Sequence, residues 1–211
     1  MTHTLISPSV NSQKLKLEQP VKLGMMASGS GTNFEVVAKA IASGELNAQI
    51  PILVYNNPHA KVASRAKRLG IPSKLLNHRD YRRREDLDRA IVETMQEHQV
   101  DLIVMVGWMR IVTKVLLETF PNRVINIHPS LLPSFKGVKA VEKALQAQVK
   151  ITGCTVHFAC LEVDSGPILM QAAVPILDDD TSENLHARIQ EQEHVILPQA
   201  IALAAQQYFS T

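Results

Sequence analysis

The residues Val21–Ala27 (VKLGMMA) and the loop Ser28–Asn33 (SGSGTN) that follows them decide the fold of this chain. The first segment is a short apolar run of the kind that forms a buried strand, and the amphipathic stretch Phe34–Ala42 comes directly after the loop. A strand, a glycine-containing loop and a helix in this order are typical of an open α/β sheet. At this point of such a sheet, backbone N–H groups and the helix dipole can bind an anion.

Short apolar runs alternate with amphipathic stretches along the chain. The apolar runs are rich in Val, Ile, Leu and Met, and they span Ile50–Tyr55, Leu102–Val106 and Val124–Ile127, with another short strand at Pro72–Leu76. The amphipathic stretches are Ala60–Leu69, Glu85–His98 and Thr113–Thr119. Apolar runs of this kind are typical of parallel strands that are covered on both faces. We therefore predict an α/β fold with a single doubly wound, mostly parallel sheet and helices on both faces.

The last third of the chain has a different pattern. Thr152–Phe158 alternates polar and apolar residues, and with Pro167–Ile176 it predicts a more antiparallel edge of the sheet. The acidic run Asp178–Glu183 then opens a long helix that should end near Tyr208. Carboxylates at a helix N-terminus complement the exposed N–H groups and the dipole, so we interpret this run as helix capping.

Composition and charge describe one ordinary globular domain. The 211 residues are 45% hydrophobic and 20% charged, and a net charge of +2 argues against nucleic acid as the main partner. No apolar run approaches the roughly 20 residues that span a bilayer, and no secretion signal is found. We therefore expect a cytoplasmic protein without a membrane partner. Residues 1–20 should be a disordered extension, and residues 21–211 should form the functional domain.

The two cysteines do not form a recognisable metal or disulfide motif. Cys154 and Cys160 lie six positions apart, and no His/Cys spacing suits zinc. We interpret both as structural thiols in a reducing compartment and expect no metal.

The Ser28–Asn33 loop can be tested against known phosphate-binding motifs. Its glycines let the backbone approach a phosphate, and Thr32 and Asn33 can donate hydrogen bonds, although a tight turn with a helix N-cap would use the same residue types. A dinucleotide fingerprint is disfavoured by the bulky Phe34 and by Asn56-Asn57, where a ribose-binding acid is required. Neither a Gly-Lys-Ser/Thr tripeptide nor a serine nucleophile elbow fits. The loop suits a phosphate monoester better than NAD or ATP.

A second cluster of polar residues ends the fourth long strand. Strand alternation points Asn126 and His128 to the same side, with Ile127 on the other, and two prolines follow in Asn126–Pro133 (NIHPSLLP). Burying an amide and an imidazole together is costly unless they have a function, and open α/β sheets place active sites at such strand ends. The pattern favours catalysis over a satisfied core histidine.

Asp164, in Val163–Pro167 (VDSGP), is a third candidate, although a carboxylate before Ser-Gly-Pro is by itself more often a turn residue. Beside His128, this carboxylate would stabilise an imidazolium. An amide donor and a protonated imidazole together would stabilise an oxyanion on an attacked carbonyl.

These motifs, with Gly107–Val112 (GWMRIV) and Gln190–His194 (QEQEH), resemble the phosphoribosylglycinamide formyltransferases, folate-dependent enzymes of purine biosynthesis and one-carbon metabolism. The resemblance runs from about Val21 to Tyr208. It implies a Rossmann-like formyltransferase domain over residues 21–211. It also implies transfer of a formyl group from 10-formyltetrahydrofolate to the amine of glycinamide ribonucleotide, without a metal and in a monomer or homodimer.

The resemblance also assigns roles to residues. It implies that Asn126, His128 and Asp164 are catalytic, with His128 as the proton donor and Asp164 as the carboxylate that tunes it. The residues implied to bind the phosphoribosylglycinamide are Gly31, Thr32, Asn33, Gln190 and Glu193. Those implied to bind the 10-formyltetrahydrofolate are Arg84, Met109, Arg110, Ile111, Val112 and Asn126. Lys136 replaces a proline of a common family form, and no histidine follows Gly137, so no family contact is carried over to that segment.

Related functions share the Asn/His/Asp centre. A methionyl-tRNA formyltransferase would need roughly another hundred residues for tRNA, and it typically lacks the SGSGTN loop. A formyltetrahydrofolate hydrolase would need a regulatory domain before Val21. We expect neither, and the complete trio disfavours a non-catalytic folate or nucleotide binder.

Overall fold

The computed structural model describes residues 5–9, 17 and 19–209 of the chain. The strands are β1 (Ile6–Ser7), β2 (Val21–Ala27), β3 (Ala48–Tyr55), β4 (Ser73–Leu75), β5 (Leu102–Met105), β6 (Val124–His128), β7 (Ile151–Phe158) and β8 (Ile168–Pro175). The helices are α1 (Thr32–Ala42), α2 (Val62–Arg68), α3 (Arg84–Glu97), α4 (Lys114–Thr119), α5 (Ala140–Gln146) and α6 (Ser182–Phe209). One turn of 3₁₀ helix, His78–Asp80, lies between β4 and α3.

The strands form one sheet in the order β1-β8-β7-β6-β5-β2-β3-β4. The pairings among β2, β3, β4, β5 and β6 are parallel, whereas β6–β7, β7–β8 and β1–β8 are antiparallel. The prediction of a mostly parallel, doubly wound sheet with an antiparallel edge is therefore confirmed. The chain continues from β2 to β3 on one side and returns to β5 on the other. This reversal opens a crevice beyond the carboxyl ends of β2 and β5, where open α/β sheets bind ligands.

Side chains of each parallel strand alternate between two hydrophobic cores. Leu102 and Val104 of β5 face the core that α1, α2, α5 and α6 cover, whereas Ile103 and Met105 face the core under α3 and α4. Both faces of the sheet are therefore covered, which explains why the strand sequences are continuously apolar.

The amino-terminal segment differs in part from the expected disordered extension. Ile6 and Ser7 pair with Ala172 and Gln171 of β8 and extend the antiparallel edge of the sheet. Pairing satisfies backbone groups that would otherwise be unpaired at this edge, which composition alone does not reveal. Most of the remaining residues of that extension lie outside the described ranges.

Two helices add detail to the prediction for the carboxyl-terminal half. The short helix α5 was not predicted. The long helix α6 was predicted, but its first turn is capped by the Thr181 hydroxyl, which accepts from Asn184 N–H at 3.2 Å. Asp180 does not cap the helix; it accepts two hydrogen bonds at 2.7 Å from the Arg188 guanidinium. Within the described ranges, no helix combines the length and hydropathy needed to cross a bilayer.

Candidate active site

A cavity of about 630 Å³ lies at the carboxyl edge of the parallel strands. Its walls come from the loops after β2, β5 and β6, from the loop between β7 and β8, and from one face of α6. The predicted site residues in its lining are Gly31, Thr32, Asn33, Met109, Arg110, Ile111, Val112, Asn126, His128, Asp164, Gln190 and Glu193. Arg84 is the exception, because it is exposed at the start of α3 and does not line the cavity.

The loop after β2 exposes the amino terminus of α1 to the cavity. Gly31 has a φ of 76°, in the left-handed region that favours glycine, and its carbonyl accepts the first-turn bond from Glu35 N–H. Gly31 is the N-cap of α1, and no side chain caps this helix. The alternative of a turn that serves for side-chain capping therefore does not explain the residue types of this loop. Unsatisfied N–H groups at a helix start favour an anion, which supports the prediction of a phosphate site.

Helix α2 fixes the loop from outside the cavity. Val62 N–H donates to the Gly29 carbonyl at 3.1 Å, and Arg65 Nε donates to the Ser30 carbonyl at 2.8 Å. The Arg65 guanidinium also pairs with Glu35 on α1. These contacts hold the loop backbone in place before any ligand binds, which reduces the entropy lost on binding.

Two residues of α6 contact this loop from the opposite wall. Gln190 Nε2 donates to the Thr32 hydroxyl at 3.0 Å, and Asn33 Nδ2 donates to Glu193 Oε2 at 2.8 Å. Spaced three apart, Gln190 and Glu193 lie on the same face of the helix. The structure thus brings together the residues to which the phosphate and ribose contacts were assigned.

Glu193 is a buried acid, only 5% exposed. Burial raises the pKa of its carboxyl to about 7 from an ordinary 4.5, against the opposing effect of the Asn33 hydrogen bond. Between these two values the folded protein holds a proton that the unfolded chain has released. The free energy of unfolding therefore falls as the pH rises through this range.

We expect Glu193→Gln to remove this pH dependence because an amide does not ionise. Between about pH 5 and about pH 8, the melting temperature of the wild type should fall by roughly 5 °C more than that of the variant. Thermal unfolding at both pH values measures this difference. Glu191, an exposed glutamate of the same helix, supplies the control Glu191→Gln, which should follow wild type. A Glu193→Gln variant with the wild-type pH dependence would contradict the assignment.

Asn126 and His128 lie where β6 extends beyond β5. Asn126 pairs with Met105, the last residue of β5, and the apolar neighbours Ile125 and Ile127 pack into the opposite core. The same-side orientation predicted from strand alternation is therefore present. His128 is 6% exposed, with Nδ1 3.3 Å from Asp164 Oδ2 and Nε2 3.0 Å from the Phe135 carbonyl. With an acceptor beside each ring nitrogen, an imidazolium would donate both of its protons.

The carboxylate of Asp164 reaches Asn126 and His128 from the loop between β7 and β8. Its Oδ2 accepts from Gly137 N–H at 2.8 Å, and its Oδ1 accepts from Asn126 Nδ2 at 3.4 Å. Burial acts to raise the pKa of Asp164. The His157 and Gly137 hydrogen bonds and the charge of His128 outweigh it, so the pKa lies below its ordinary value. Asp164 is therefore a carboxylate at neutral pH. Its φ of 51° is uncommon for a residue other than glycine, and such geometry often occurs at active sites.

His157 is a further residue of this centre that the sequence interpretation missed. It is 2% exposed, and its Nε2 lies 3.3 Å from Asn126 Nδ2 and 3.6 Å from Asp164 Oδ1. The antiparallel register of β6 and β7 places His157 directly opposite Asn126. A buried histidine in the alternating strand Thr152–Phe158 was the available signal, but only the register shows which residue it faces.

The loop after β5 forms the other end of the cavity. Met109 N–H donates to the Ser28 hydroxyl at 2.8 Å, and Ser28 N–H donates to the Gly107 carbonyl at 3.1 Å. The loop after β5 is therefore joined to the start of the Ser28–Asn33 loop. Met109 is 71% exposed and Val138 73% exposed at the cavity lining. Exposed apolar side chains grouped beside a cavity are typical of a surface that binds an apolar ring.

Neither cysteine is bonded to another. Cys154 is buried in β7, where burial raises the pKa of its thiol, and Cys160 is half-buried in the cavity wall. In the described part of the chain, no group of three or more His, Cys, Asp and Glu side chains is arranged to hold a metal ion.

The chain is similar to known formyltransferases in sequence and structure. Residues 21–201 match the family model described as Formyl transferase. Phosphoribosylglycinamide formyltransferase of Bacillus subtilis is 39% identical over 180 residues, which cover 85% of this chain and 92% of that protein. The solved glycinamide ribonucleotide transformylase 1 of Symbiobacterium toebii superposes with a TM-score of 0.88 at 40% identity, covering 90% of each chain.

Some relatives are much longer. The trifunctional purine biosynthetic protein adenosine-3 of Gallus gallus is 40% identical over 185 residues, but these cover 88% of this chain and only 18% of that protein. The match therefore concerns one part of the trifunctional protein. Because the family model spans most of the chain and the Bacillus subtilis relative is matched over most of its length, this chain belongs to the formyl transferase family.

Proposed function

We propose that this chain transfers the formyl group of 10-formyltetrahydrofolate to the amine of glycinamide ribonucleotide, giving N-formylglycinamide ribonucleotide and tetrahydrofolate. One observation carries this proposal: the anion-binding loop Gly31–Asn33 and the polar centre of Asn126, His128 and Asp164 line the same cavity. An acceptor held by its phosphate at the loop can extend its amine toward that centre.

The phosphate loop favours this acceptor over the related reactions. Hydrolysis of a formylfolate needs only water as the acceptor, and an aminoacyl-tRNA acceptor would not need a binding site for a small phosphate monoester. The start of α1 has no side-chain cap, and the Gln190 and Glu193 side chains lie on the opposite wall. This arrangement instead suits a ribose monophosphate. The Met109–Val112 loop and the apolar residues near it suit the ring system of the folate.

The catalytic centre can stabilise a tetrahedral oxyanion. As the amine nitrogen bonds to the formyl carbon, negative charge develops on the formyl oxygen. Asn126 Nδ2 carries two N–H groups beside Asp164 Oδ1 and His157 Nε2, and one of these N–H groups must leave its neighbour to donate to that oxygen. Protonated His128 supplies the other donor, and the Asp164 carboxylate stabilises its positive charge. The amine proton is lost and the departing folate nitrogen gains one, so the transfer is balanced.

His128 must change one hydrogen-bond partner for this step. Its Nε2 is directed at the Phe135 carbonyl at 3.0 Å, whereas Nδ1 faces Asp164 at a longer 3.3 Å. A substrate oxygen therefore has to share or replace one of these acceptors. Catalytic hydrogen bonds commonly tighten only when the reactants are bound.

The direct test is incubation of the purified chain with glycinamide ribonucleotide and 10-formyltetrahydrofolate while release of tetrahydrofolate is followed. We expect one tetrahydrofolate per formylated ribonucleotide, and no release when the ribonucleotide is omitted. Release without the ribonucleotide would indicate a hydrolase, and no release with it would reject this acceptor.

A further inference from the structure

Lys136 connects the two loops that hold the catalytic trio. It lies in the segment Phe135–Gly137 after β6. Its Nζ donates to the Ser165 hydroxyl at 2.5 Å and lies 3.2 Å from Glu162 Oε1. Both partners belong to the loop between β7 and β8, on either side of Asp164.

The neighbours of Lys136 contact the catalytic side chains directly. The Phe135 carbonyl faces His128 Nε2 at 3.0 Å, and Gly137 N–H donates to Asp164 Oδ2 at 2.8 Å. Three consecutive residues therefore contact His128, the Asp164 loop and Asp164 itself. A shift of this segment relative to the Asp164 loop would alter the contacts that the segment makes with His128 and with Asp164.

Backbone geometry shows why such a connection is needed. Phe135 and Asp164 both have positive φ values, 55° and 51°, which side-chain-bearing residues adopt only when the surrounding contacts hold them there. From α5, Lys143 Nζ donates to the Lys136 carbonyl at 2.8 Å and fixes the backbone of the segment on one side. The Lys136 side chain fixes it on the other.

The two contacts of Lys136 do not contribute equally. Glu162 is 76% exposed, so water and salt screen its pair with Lys136, whose side chain is 37% exposed. The bond to Ser165 is part-buried and is a charge-assisted hydrogen bond at short range. Ser165, which adjoins Asp164 in the chain, is therefore the more important partner.

We propose that Lys136 is a positioning residue for the formyl-transfer reaction, which holds Asp164 against His128 by binding Ser165. This inference rests on the proposed function and extends it to a residue outside the trio. Lys136 does not line the cavity. Its loss should therefore change the catalytic step rather than substrate binding.

The test compares Lys136→Met, which keeps an apolar stem, with Lys136→Arg, which keeps the charge. We expect Lys136→Met to lower kcat about tenfold, with the KM of each substrate changed by less than about twofold. Lys136→Arg should recover most of the rate. Lys150, an exposed lysine whose Nζ lies 3.9 Å from exposed Asp178, supplies the control Lys150→Met, which should behave as wild type.

A double-mutant cycle identifies the partner. Ser165→Ala should lower kcat to a similar extent, and combining it with Lys136→Met should add little, because both changes remove the same contact. Wild-type kcat in Lys136→Met, or fully multiplicative losses in the double variant, would overturn the proposal.

A readout independent of turnover separates this inference from the proposed function. Hydrogen exchange of the Gly137 amide, which donates to Asp164, should be faster in Lys136→Met than in wild type and in Lys150→Met. If wild type fails to formylate glycinamide ribonucleotide, the proposed function is wrong, and Lys136 is judged by this exchange rate alone. An unchanged rate would overturn its positioning role.

Discussion

Replacing His128 with alanine should lower kcat for formyl transfer about 1,000-fold, because the change removes both an oxyanion donor and the group that holds the transferred proton. The KM for the ribonucleotide should change little. The proposed phosphate site, Gly31–Asn33, lies after β2, whereas His128 ends β6. Steady-state kinetics with each substrate varied in turn measure both quantities.

Two further variants make this result interpretable. Asp164→Asn keeps the size of the side chain but removes its charge, and it should lower kcat about 100-fold by leaving a protonated His128 without its counter-charge. His59→Ala changes an exposed histidine outside the cavity and should retain wild-type kinetics. Near-native turnover in both His128→Ala and Asp164→Asn would reject the catalytic assignment.

Replacing Gly31 with alanine should raise the KM for the ribonucleotide about 10- to 100-fold while the KM for the formylfolate stays near its wild-type value. Two physical effects combine at this position. The φ of 76° disfavours any residue with a β-carbon, and a β-carbon there would overlap the Val62 side chain of α2. Because Val62 of α2 lies against the loop, relieving this overlap would shift the loop backbone away from the conformation proposed to bind the phosphate.

Gly44 provides a matched control for the strain alone. It has the same φ of 76°, but a β-carbon there would meet no atom within 4 Å. Gly44→Ala should lower the melting temperature modestly and leave both KM values unchanged. The double variant Gly31→Ala/Val62→Ala removes the overlap with Val62 Cγ2 but leaves the β-carbon of residue 62 at 2.7 Å and the strained φ, so it should recover only a small part of the affinity. Wild-type ribonucleotide KM in Gly31→Ala would show that this loop does not hold the phosphate.

Much of the fold was predictable because its signals are local. The predicted strand Val21–Ala27 matches β2 at both ends, and the predicted Val124–Ile127 differs from β6 by one residue. Continuous apolar runs identify strands covered on both faces, whatever the rest of the chain does. Helix α5 was not predicted, and β1 escaped prediction because a two-residue strand exists only through its partner β8.

The residues expected to bind the folate do not all lie together. The run Met109–Val112 lines the cavity, but Arg84 does not. Arg84 begins α3, and nothing in its local sequence specifies how far the helix start lies from the loop after β5. That distance follows from how α3 and α4 pack on the sheet.

For this protein, the sequence by itself determined which side chains of one element share a side. Strand alternation placed Asn126 with His128, and the glycine loop between strand and helix placed Gly31–Asn33 at the start of a helix, because both follow from backbone geometry over a few residues. Only the tertiary structure decided what faces them. Asp164 and His157 reach Asn126 through the antiparallel register of β6 and β7 and a loop held at an unusual φ. Pairing between segments some 30 residues apart is set by the packing of the whole sheet, which no local pattern encodes.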